Sequence, residues 1–236
     1  QRGTCCLFAA ASETSCAHCL THDGRCKLAE PGYTLFGRHM KRRRKVRGTK
    51  MTTPELVAEL KQKMVTERAA LIAAAEGLTA DDSLRVPVDA KGEEQWTALE
   101  QLSHLWEMER GYVAWVQAAC EADNPDISGV QGEPIDIPIE RANETGVSDL
   151  LAALAAERTK TLALIDVLAL EEFDRTATSP MFGTLTVLQW LRSFYRHDRQ
   201  HAAQIEGRRS DYKPNFKGSE PNQRKMRLER MARSSD

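Results

Sequence analysis

The chain has 236 residues, a formal net charge of −1 and a hydrophobic fraction of 41%, which is typical of a globular protein with one sizeable core or two small ones. Because acidic and basic residues nearly balance, composition gives no general reason to expect nucleic acid as a partner. No apolar run approaches the roughly 18 residues that a membrane helix needs, so we expect no membrane partner.

Residues 1–50 differ in composition from the rest of the chain. They contain five of the six Cys residues, three of the six His residues and a basic run at 41–45. One interpretation is a zinc knuckle, with the candidate ligands Cys16, His18, Cys19, His22 and Cys26. A second is the remains of a signal peptide, suggested by the apolar run at 5–11. We favour a third, in which this segment is a disordered extension, or translated upstream sequence ahead of a native start at Met51.

The remainder of the chain contains a single cysteine, Cys120, so it does not use a disulfide framework. Such cysteine usage suits a reducing compartment, and we expect a cytoplasmic protein. A lone cysteine at a helix end is more often idle than nucleophilic, so we assign Cys120 no catalytic role.

Four stretches of the chain have the apolar periodicity of long amphipathic helices. The first spans 53–76, with Thr53 as its cap, Pro54 at its first position and Gly77 after its end. The second spans 96–121, and its first residues have the spacing of a capping box.

The third predicted helix begins at Ser148, and the fourth spans 186–207 and again opens with the spacing of a capping box. Arg158 and Lys160 interrupt the apolar stripe of the third helix. We therefore expect part of that face to lie near solvent.

The connections between these helices are predicted to be irregular. Residues 77–96, 123–146 and 169–185 lack helical periodicity and contain many turn-forming residues. Residues 211–236 are polar and basic, and we expect a solvated tail. Four helices of about 20 residues or more predict an all-α protein, with one four-helix bundle over 51–210.

Three histidines of the predicted bundle lie where a buried face is expected. His197 and His201 are one turn apart on the fourth helix, in the same arc as Trp190 and Phe194, and His104 lies at the edge of the apolar face of the second. Burying unpaired imidazoles is costly, and one shared metal ion would satisfy all three. Three imidazole ligands leave a position open for water or substrate, which is typical of a catalytic site, and zinc, nickel and iron all suit them. The alternative is that each imidazole pairs with a carboxylate.

Other polar residues on these two helices are candidates for supporting roles. Asp198 is predicted to orient an imidazole from outside the ligand set, because it lacks the reach and direction of a metalloprotease general base. Glu100 and Glu107 lie one turn either side of His104, where they are candidates for pairing with it or for a general base. Gln204 is predicted to project inward, where it could contact a bound ligand.

Three short segments together are similar to one known family. They are Gln101–Leu105, Phe182–Leu185 and His197–Ile205. These segments resemble the DinB-like superfamily, which includes the DinB/YfiT-type metalloenzymes, and the likeness covers about Met51 to Arg209. The resemblance implies a four-helix bundle with an unusual connection order. It also implies a divalent metal bound through three ligands, His104, His197 and His201.

The resemblance further implies a class of chemistry. Several members of the family are transferases or isomerases that use a low-molecular-weight thiol, so we expect a metal-dependent enzyme of this kind acting on a small-molecule substrate. Arg141 and Arg175 are candidates for binding the carboxylates of the thiol. Two alternatives remain open, a metal-dependent hydrolase and a non-enzymatic, metal-stabilised helical binding module. The sequence also leaves open homodimerisation and whether the protein is catalytic.

Overall fold

The structure is a computed structural model that describes residues 51–86 and 92–218. The helices in this part of the chain are α1 (Pro54–Glu76), α2 (Ala80–Ser83), α3 (Ala98–Glu121), α4 (Ile139–Ala142), α5 (Val147–Val167) and α6 (Val187–Ile205). Short 3-10 helices span Gly92–Gln95 and Leu170–Asp174, and two strands, β1 (Thr176–Ser179) and β2 (Gly183–Thr186), form an antiparallel hairpin. The predictions made for residues 1–50 and 219–236, including the zinc knuckle, lie outside the described residues.

The predicted capping boxes at the starts of two long helices are confirmed by their hydrogen bonds. Thr97 accepts a hydrogen bond from the backbone N–H of Glu100, whose carboxylate accepts one from the N–H of Thr97. Thr186 and Gln189 form the same reciprocal capping box at the start of α6. After α6 the chain turns away at Gly207, whose φ of 71° is a conformation that favours glycine.

The four long helices, α1, α3, α5 and α6, form the bundle that the sequence predicts. Helix α1 packs against α5 and α6, and α3 packs against the same two helices. Consecutive long helices α1 and α3 therefore lie diagonally across the bundle. No helix within 51–86 or 92–218 is long and apolar enough to cross a membrane.

Four charged side chains, one from each long helix, meet in the interior of the bundle: Arg68, Glu109, Arg158 and Asp198. Arg68 Nη2 donates to Glu109 Oε2 at 2.6 Å and to Asp198 Oδ1 at 2.9 Å. Arg158 donates from Nε to Glu109 Oε1 at 2.8 Å and from Nη2 to Asp198 Oδ2 at 2.9 Å. Two guanidinium groups thus neutralise two carboxylates, which is the condition under which such charges can be buried. We call these four residues the buried ion network.

The remaining donors of the two arginines tie the same helices together. Arg68 Nη1 donates to the carbonyl of Leu154 at 2.9 Å, and Arg158 Nη1 donates to the carbonyl of Met64 at 2.7 Å. Arg158 is only 4% exposed, so the prediction that it lies near solvent is wrong, because carboxylates and a carbonyl replace its water. Lys160 on the same helix is exposed, as predicted.

The buried ion network forms a layer between two hydrophobic clusters. On α1, Leu60 and Met64 belong to one cluster and Leu71 and Ala75 to the other, with Arg68 between them. The same order, apolar then charged then apolar, holds along α3, α5 and α6. The core is therefore divided at one level by a fully paired polar layer.

The connections contain more regular structure than the sequence predicts. Residues 139–142 form α4, and the predicted loop at 169–185 contains the β-hairpin instead. In the hairpin Thr176 pairs with Thr186, and Gly183 adopts a φ of 82° directly after the turn. Each strand is only four residues long, too short for its alternating pattern to stand out from the loop around it.

Residues 211–218, which the sequence assigns to a solvated tail, pack on the hairpin, and we call them the strap. The backbone N–H of Lys217 donates to the carbonyl of Met181 at 2.9 Å. The ring of Phe216 lies 5.2 Å from the ring of Phe182. The tail prediction is wrong for this part of the chain because an aromatic side chain finds an apolar partner there.

The buried ion network generates a stability prediction. We expect Arg158→Met to lower the free energy of unfolding by about 3–5 kcal/mol, because Glu109 and Asp198 would keep buried negative charge without a full set of donors. Urea denaturation followed by circular dichroism measures this. Lys63→Met is the matched control, since it removes an exposed ion pair with Glu59 within one helix and should have a much smaller effect. Equal effects of the two variants would contradict the role of the network.

Candidate metal centre

The structure brings the three predicted histidine ligands together. His197 and His201 lie one turn apart on α6, and their ring centroids are 4.7 Å apart. The ring of His104, on α3, lies 5.0 Å from that of His197 and 5.6 Å from that of His201. All three side chains are buried. The neighbouring positions of α3 and α6 in the bundle therefore produce the cluster.

A fourth residue, Glu93, completes the cluster, and sequence reasoning missed it. Its Oε1 lies 3.2 Å from His104 Nε2, and its Oε2 lies 3.4 Å from His197 Nε2 and 3.5 Å from His201 Nε2. One ligand atom from each of the four residues lies within 4.8 Å of the others. Glu93 belongs to a 3-10 helix in an irregular connection, where no periodic pattern indicates which side chains face inward.

Hydrogen bonds from outside the cluster orient His201. Gln101 Nε2 donates to the carbonyl of Trp96 at 3.2 Å, which fixes the direction of its amide because a carbonyl can only accept. Gln101 Oε1 then faces His201 Nδ1 at 2.9 Å, so Nδ1 carries the proton. The Nε2 lone pair of His201 is consequently directed at the cluster, which is the arrangement found around metal-binding histidines. Neither this role of Gln101 nor its partner could be read from spacing.

The charge states within the cluster fit a metal site. Burial lowers the pKa of His104 to about 4 and also lowers the pKa of His201, so both are neutral near pH 7, the form that binds metals. Burial alone would raise the pKa of Glu93. The attraction of His197 and the hydrogen bond with His104 outweigh burial and hold that pKa well below its usual value. Three imidazoles and one carboxylate anion are ligands that zinc, nickel and iron accept.

The two closest ring nitrogens add to this fit. His197 Nε2 and His201 Nε2 lie 3.0 Å apart, so a proton must lie between them unless a cation takes both lone pairs. Glu93 can also satisfy the imidazoles by hydrogen bonding alone, which is the alternative considered from the sequence. Metal content separates the two arrangements.

The residues predicted to support the site differ in the contacts that they make. The carboxylate of Asp198 accepts hydrogen bonds from Arg68 and Arg158 of the buried ion network. The prediction that Asp198 orients an imidazole is therefore corrected, because its carboxylate oxygens are taken by guanidinium groups. Glu100 belongs to the capping box of α3. Glu93, which was not predicted, is a carboxylate that contacts all three histidines.

The contacts neither confirm nor contradict the supporting roles predicted for Glu107 and Gln204. Glu107 lines the cavity beside the cluster. Gln204 is buried, and its Oε1 has no hydrogen-bond partner among the residues that the structure describes. Gln200, one turn earlier on α6, donates from Nε2 to Glu93 Oε2 at 2.8 Å and was not predicted.

The arginines proposed from the sequence to bind a thiol do not share a role. Arg175 donates from Nε to the carbonyl of Ala119 at 2.6 Å and from Nη2 to that of Ala122 at 2.8 Å. It therefore satisfies carbonyl groups at the end of α3, and its predicted role in thiol binding is wrong. Arg141 is exposed on α4.

A cavity of about 860 Å³ opens beside the cluster, within the range of about 300–1,000 Å³ that is typical of small-molecule sites. Glu93, His104 and His197 line it, whereas His201 is fully buried outside the lining. The other walls come from the loop at 128–138, the hairpin turn and the strap. The long connection after α3 is thus a wall of the site.

Features at residues 130 and 132 are among those that hold the loop wall close to α3. Trp115 Nε1 donates to the carbonyl of Val130 at 3.0 Å. At Gly132, a Cβ would lie only 2.4 Å from the backbone carbonyl carbon of Arg110. Only glycine permits this approach without moving the loop.

Three comparisons relate the chain to known proteins. The family model of the DinB superfamily matches residues 63–205. The uncharacterized protein YuaE from Bacillus subtilis (strain 168) is 25% identical over 126 residues, which are 48% of this chain and 76% of YuaE. The solved structure of YfiT from Bacillus subtilis, described as "a probable metal-dependent hydrolase with an unusual four-helix bundle topology", is similar with a TM-score of 0.54 and 20% identity. That similarity covers 67% of this chain and 89% of YfiT, and at this identity it supports the fold alone.

The cluster generates a prediction of metal content. We expect the full chain to contain about one more equivalent of divalent metal than His104→Ala or His197→Ala, since each substitution removes one ligand. Mass spectrometry of the purified proteins measures the difference, which also cancels any metal bound elsewhere in the chain. Circular dichroism should show unchanged helix content. A parent that holds no more metal than both variants, and takes up no added zinc, nickel or iron, would contradict the site.

The orientation of His201 generates a second prediction. We expect Gln101→Leu to weaken metal affinity about 10–100-fold, because His201 would lose the hydrogen bond that fixes its protonated nitrogen. Competition with a coloured chelator measures the affinity. Gln117→Leu, at an exposed position of the same helix, is the matched control and should leave affinity unchanged. Equal affinities of parent and Gln101→Leu would contradict this role.

Proposed function

The chain belongs to the DinB superfamily, and on that premise we propose that it is a metal-dependent hydrolase of a small-molecule ester or amide. The observation that carries the proposal is the cluster of Glu93 and three histidines at the side of a cavity of small-molecule size. YfiT, whose fold this chain shares, is described as a probable metal-dependent hydrolase, and the proposal extends that class to this chain.

The ligands in the proposal are His104, His197, His201 and Glu93. A bound divalent metal would supply Lewis-acid activation of the substrate carbonyl or of the nucleophile. Glu93 would serve as an anionic ligand, because its low pKa makes it a weak proton acceptor. Its negative charge would also offset part of the buried charge of the ion.

Proton transfer is assigned to a second carboxylate, Glu107, which lines the same cavity. It would accept a proton from the attacking water as the new C–O bond forms. It would then return that proton to the leaving alcohol or amine as the scissile bond breaks. The walls of the cavity would hold the substrate and limit access of other water molecules.

A transferase or isomerase that uses a low-molecular-weight thiol is the second candidate. The volume of about 860 Å³ favours it, because such a cavity has room for a thiol beside a second reactant. In this case the thiol would replace water as the nucleophile, and Glu107 would accept the thiol proton. Both reactions need the same cluster and differ in the cosubstrate.

The role of Glu107 gives the functional prediction. We expect Glu107→Gln to lower kcat/KM for hydrolysis of a panel of esters and amides about 10²–10⁴-fold, since the amide cannot accept a proton. Glu100→Gln is the matched control, because Gln retains the capping interaction, and its activity should be near that of the parent.

The same assay, repeated with glutathione or another small thiol, separates the two candidates. Turnover only in the presence of thiol would replace the hydrolase with the thiol-dependent reaction. Hydrolysis unaffected by Glu107→Gln would contradict the assignment of the proton acceptor. A metal-loaded protein without turnover in either form of the assay would favour the non-enzymatic alternative.

A further inference from the structure

The cavity beside the metal-ligand cluster has a composition that the proposed reaction does not require. Its lining includes seven aromatic side chains, Trp96, Tyr112, Trp115, Phe182, Trp190, Tyr212 and Phe216. It also includes two cationic side chains, Arg196 and Lys213. We propose that the cavity binds a planar aromatic compound that carries an anionic group such as a carboxylate. This inference names the substrate class and so rests on the proposed function, but its binding test does not need turnover.

The aromatic side chains form a continuous wall. The ring of Tyr112 lies 5.0 Å from that of Trp115, and Trp115 lies 5.2 Å from Trp190. The wall continues from Trp190 to Phe182 at 5.8 Å and from Phe182 to Phe216 at 5.2 Å. It therefore runs from α3 across α6 and the hairpin turn to the strap. A planar ring offers such a wall edge-to-face and stacked contacts that an aliphatic chain cannot make.

A buried donor in this wall indicates a polar acceptor on the ligand. Trp190 is 1% exposed, and its indole N–H has no hydrogen-bond partner among the described residues. Buried indole groups usually find a partner, because an unpaired donor away from water is unfavourable. An oxygen of a bound ligand would supply the missing acceptor.

The cations lie on the α6 and strap side of the cavity. Arg196 is exposed, and its Cζ lies 5.8 Å from the ring centroid of Tyr212 in the strap. Within 51–86 and 92–218, no carboxylate forms an ion pair with Arg196 or Lys213. Both cations therefore lack a carboxylate partner in this part of the chain and are available to an anion there. The guanidinium group can bind a carboxylate through two parallel hydrogen bonds.

Acidic side chains also line the cavity, on the side of α3 and its following loop. They are Glu107 and Glu133, in addition to the cluster residue Glu93. The charges are thus separated between two walls, which would orient an anionic ligand with its charge towards α6 and the strap. Aromatic walls with nearby carboxylates can also attract cations. A cationic ligand is therefore the competing outcome of the test.

The test compares three ligands of equal ring size: naphthoate, naphthylmethanol and naphthylmethylamine. Isothermal titration calorimetry on the full chain measures their affinities. We expect naphthoate to bind at least tenfold more tightly than the neutral alcohol, and the amine to bind most weakly. Tightest binding by the amine, or equal binding of all three, would overturn the proposal.

Two variants and one control show which side chains produce the preference for naphthoate. Arg196→Gln should abolish most of the preference for naphthoate over the alcohol. Arg192→Gln removes a charge from the same helix, on the side near Glu59 of α1, and should preserve it. Trp190→Phe keeps an aromatic ring without the N–H group and should weaken naphthoate binding severalfold. An unchanged preference in Arg196→Gln would overturn the anion site, whatever the stability of Trp190→Phe.

Repeating the titration after treatment with a chelator separates this inference from the proposed function. The preference for naphthoate should persist without metal and remain sensitive to Arg196→Gln. Loss of the preference on metal removal would assign the anion to the metal and overturn the inference. Persistent binding in a protein without hydrolytic activity would leave the inference standing while the proposed function fails. Hydrolysis of neutral and anionic aromatic esters at equal kcat/KM would support the proposed function and contradict this inference.

Discussion

The buried ion network of Arg68, Glu109, Arg158 and Asp198 is the interaction on which the rest of the structure depends. It takes one side chain from each long helix, and each charge is tolerated only while its partners are in place. Apolar contacts above and below it can adjust to small shifts, whereas these directional contacts cannot. The network therefore sets the relative register of the helices. Because Asp198 directly follows His197, it also sets the rotation of α6.

The cluster of Glu93 and three histidines depends on the rigidity that the network provides. Two of its histidines lie on α6, one lies on α3, and Glu93 precedes α3, so their mutual distances depend on how these elements pack. A hydrogen bond from His201 to Gln101 and one from Gln200 to Glu93 then fix individual side chains. With neutral imidazoles and one carboxylate, a divalent ion would leave a net charge of about +1 in the interior instead of +2, which lowers the cost of burying it.

Sequence reasoning succeeds where the determinants are local. Helical periodicity and the capping boxes at Thr97 and Thr186 give the long helices, and spacing on two of them selects the three histidines. It fails where a contact joins residues far apart in the chain. Glu93 has no local pattern and meets His201 only after α3 and α6 pack, and Arg158 interrupts an apolar stripe whose partner charges lie on other helices. The same holds for the strap, whose apolar partner is the hairpin.

The helices, which local patterns predict, and the connecting segments, which they do not, form different parts of the candidate site. The helices hold the ion network and most of the candidate metal ligands, while the loop after α3, the hairpin turn and the strap form much of the cavity wall. The loop after α3 joins the helices through hydrogen bonds to its backbone carbonyls, such as those of Trp115 with Val130 and of Ser103 with Ile137. Such walls can change in sequence without disturbing the buried charges. A bundle of this kind can therefore keep the same cluster of histidines while the walls of its cavity change, so the ligand of this chain is best inferred from its own aromatic and cationic wall.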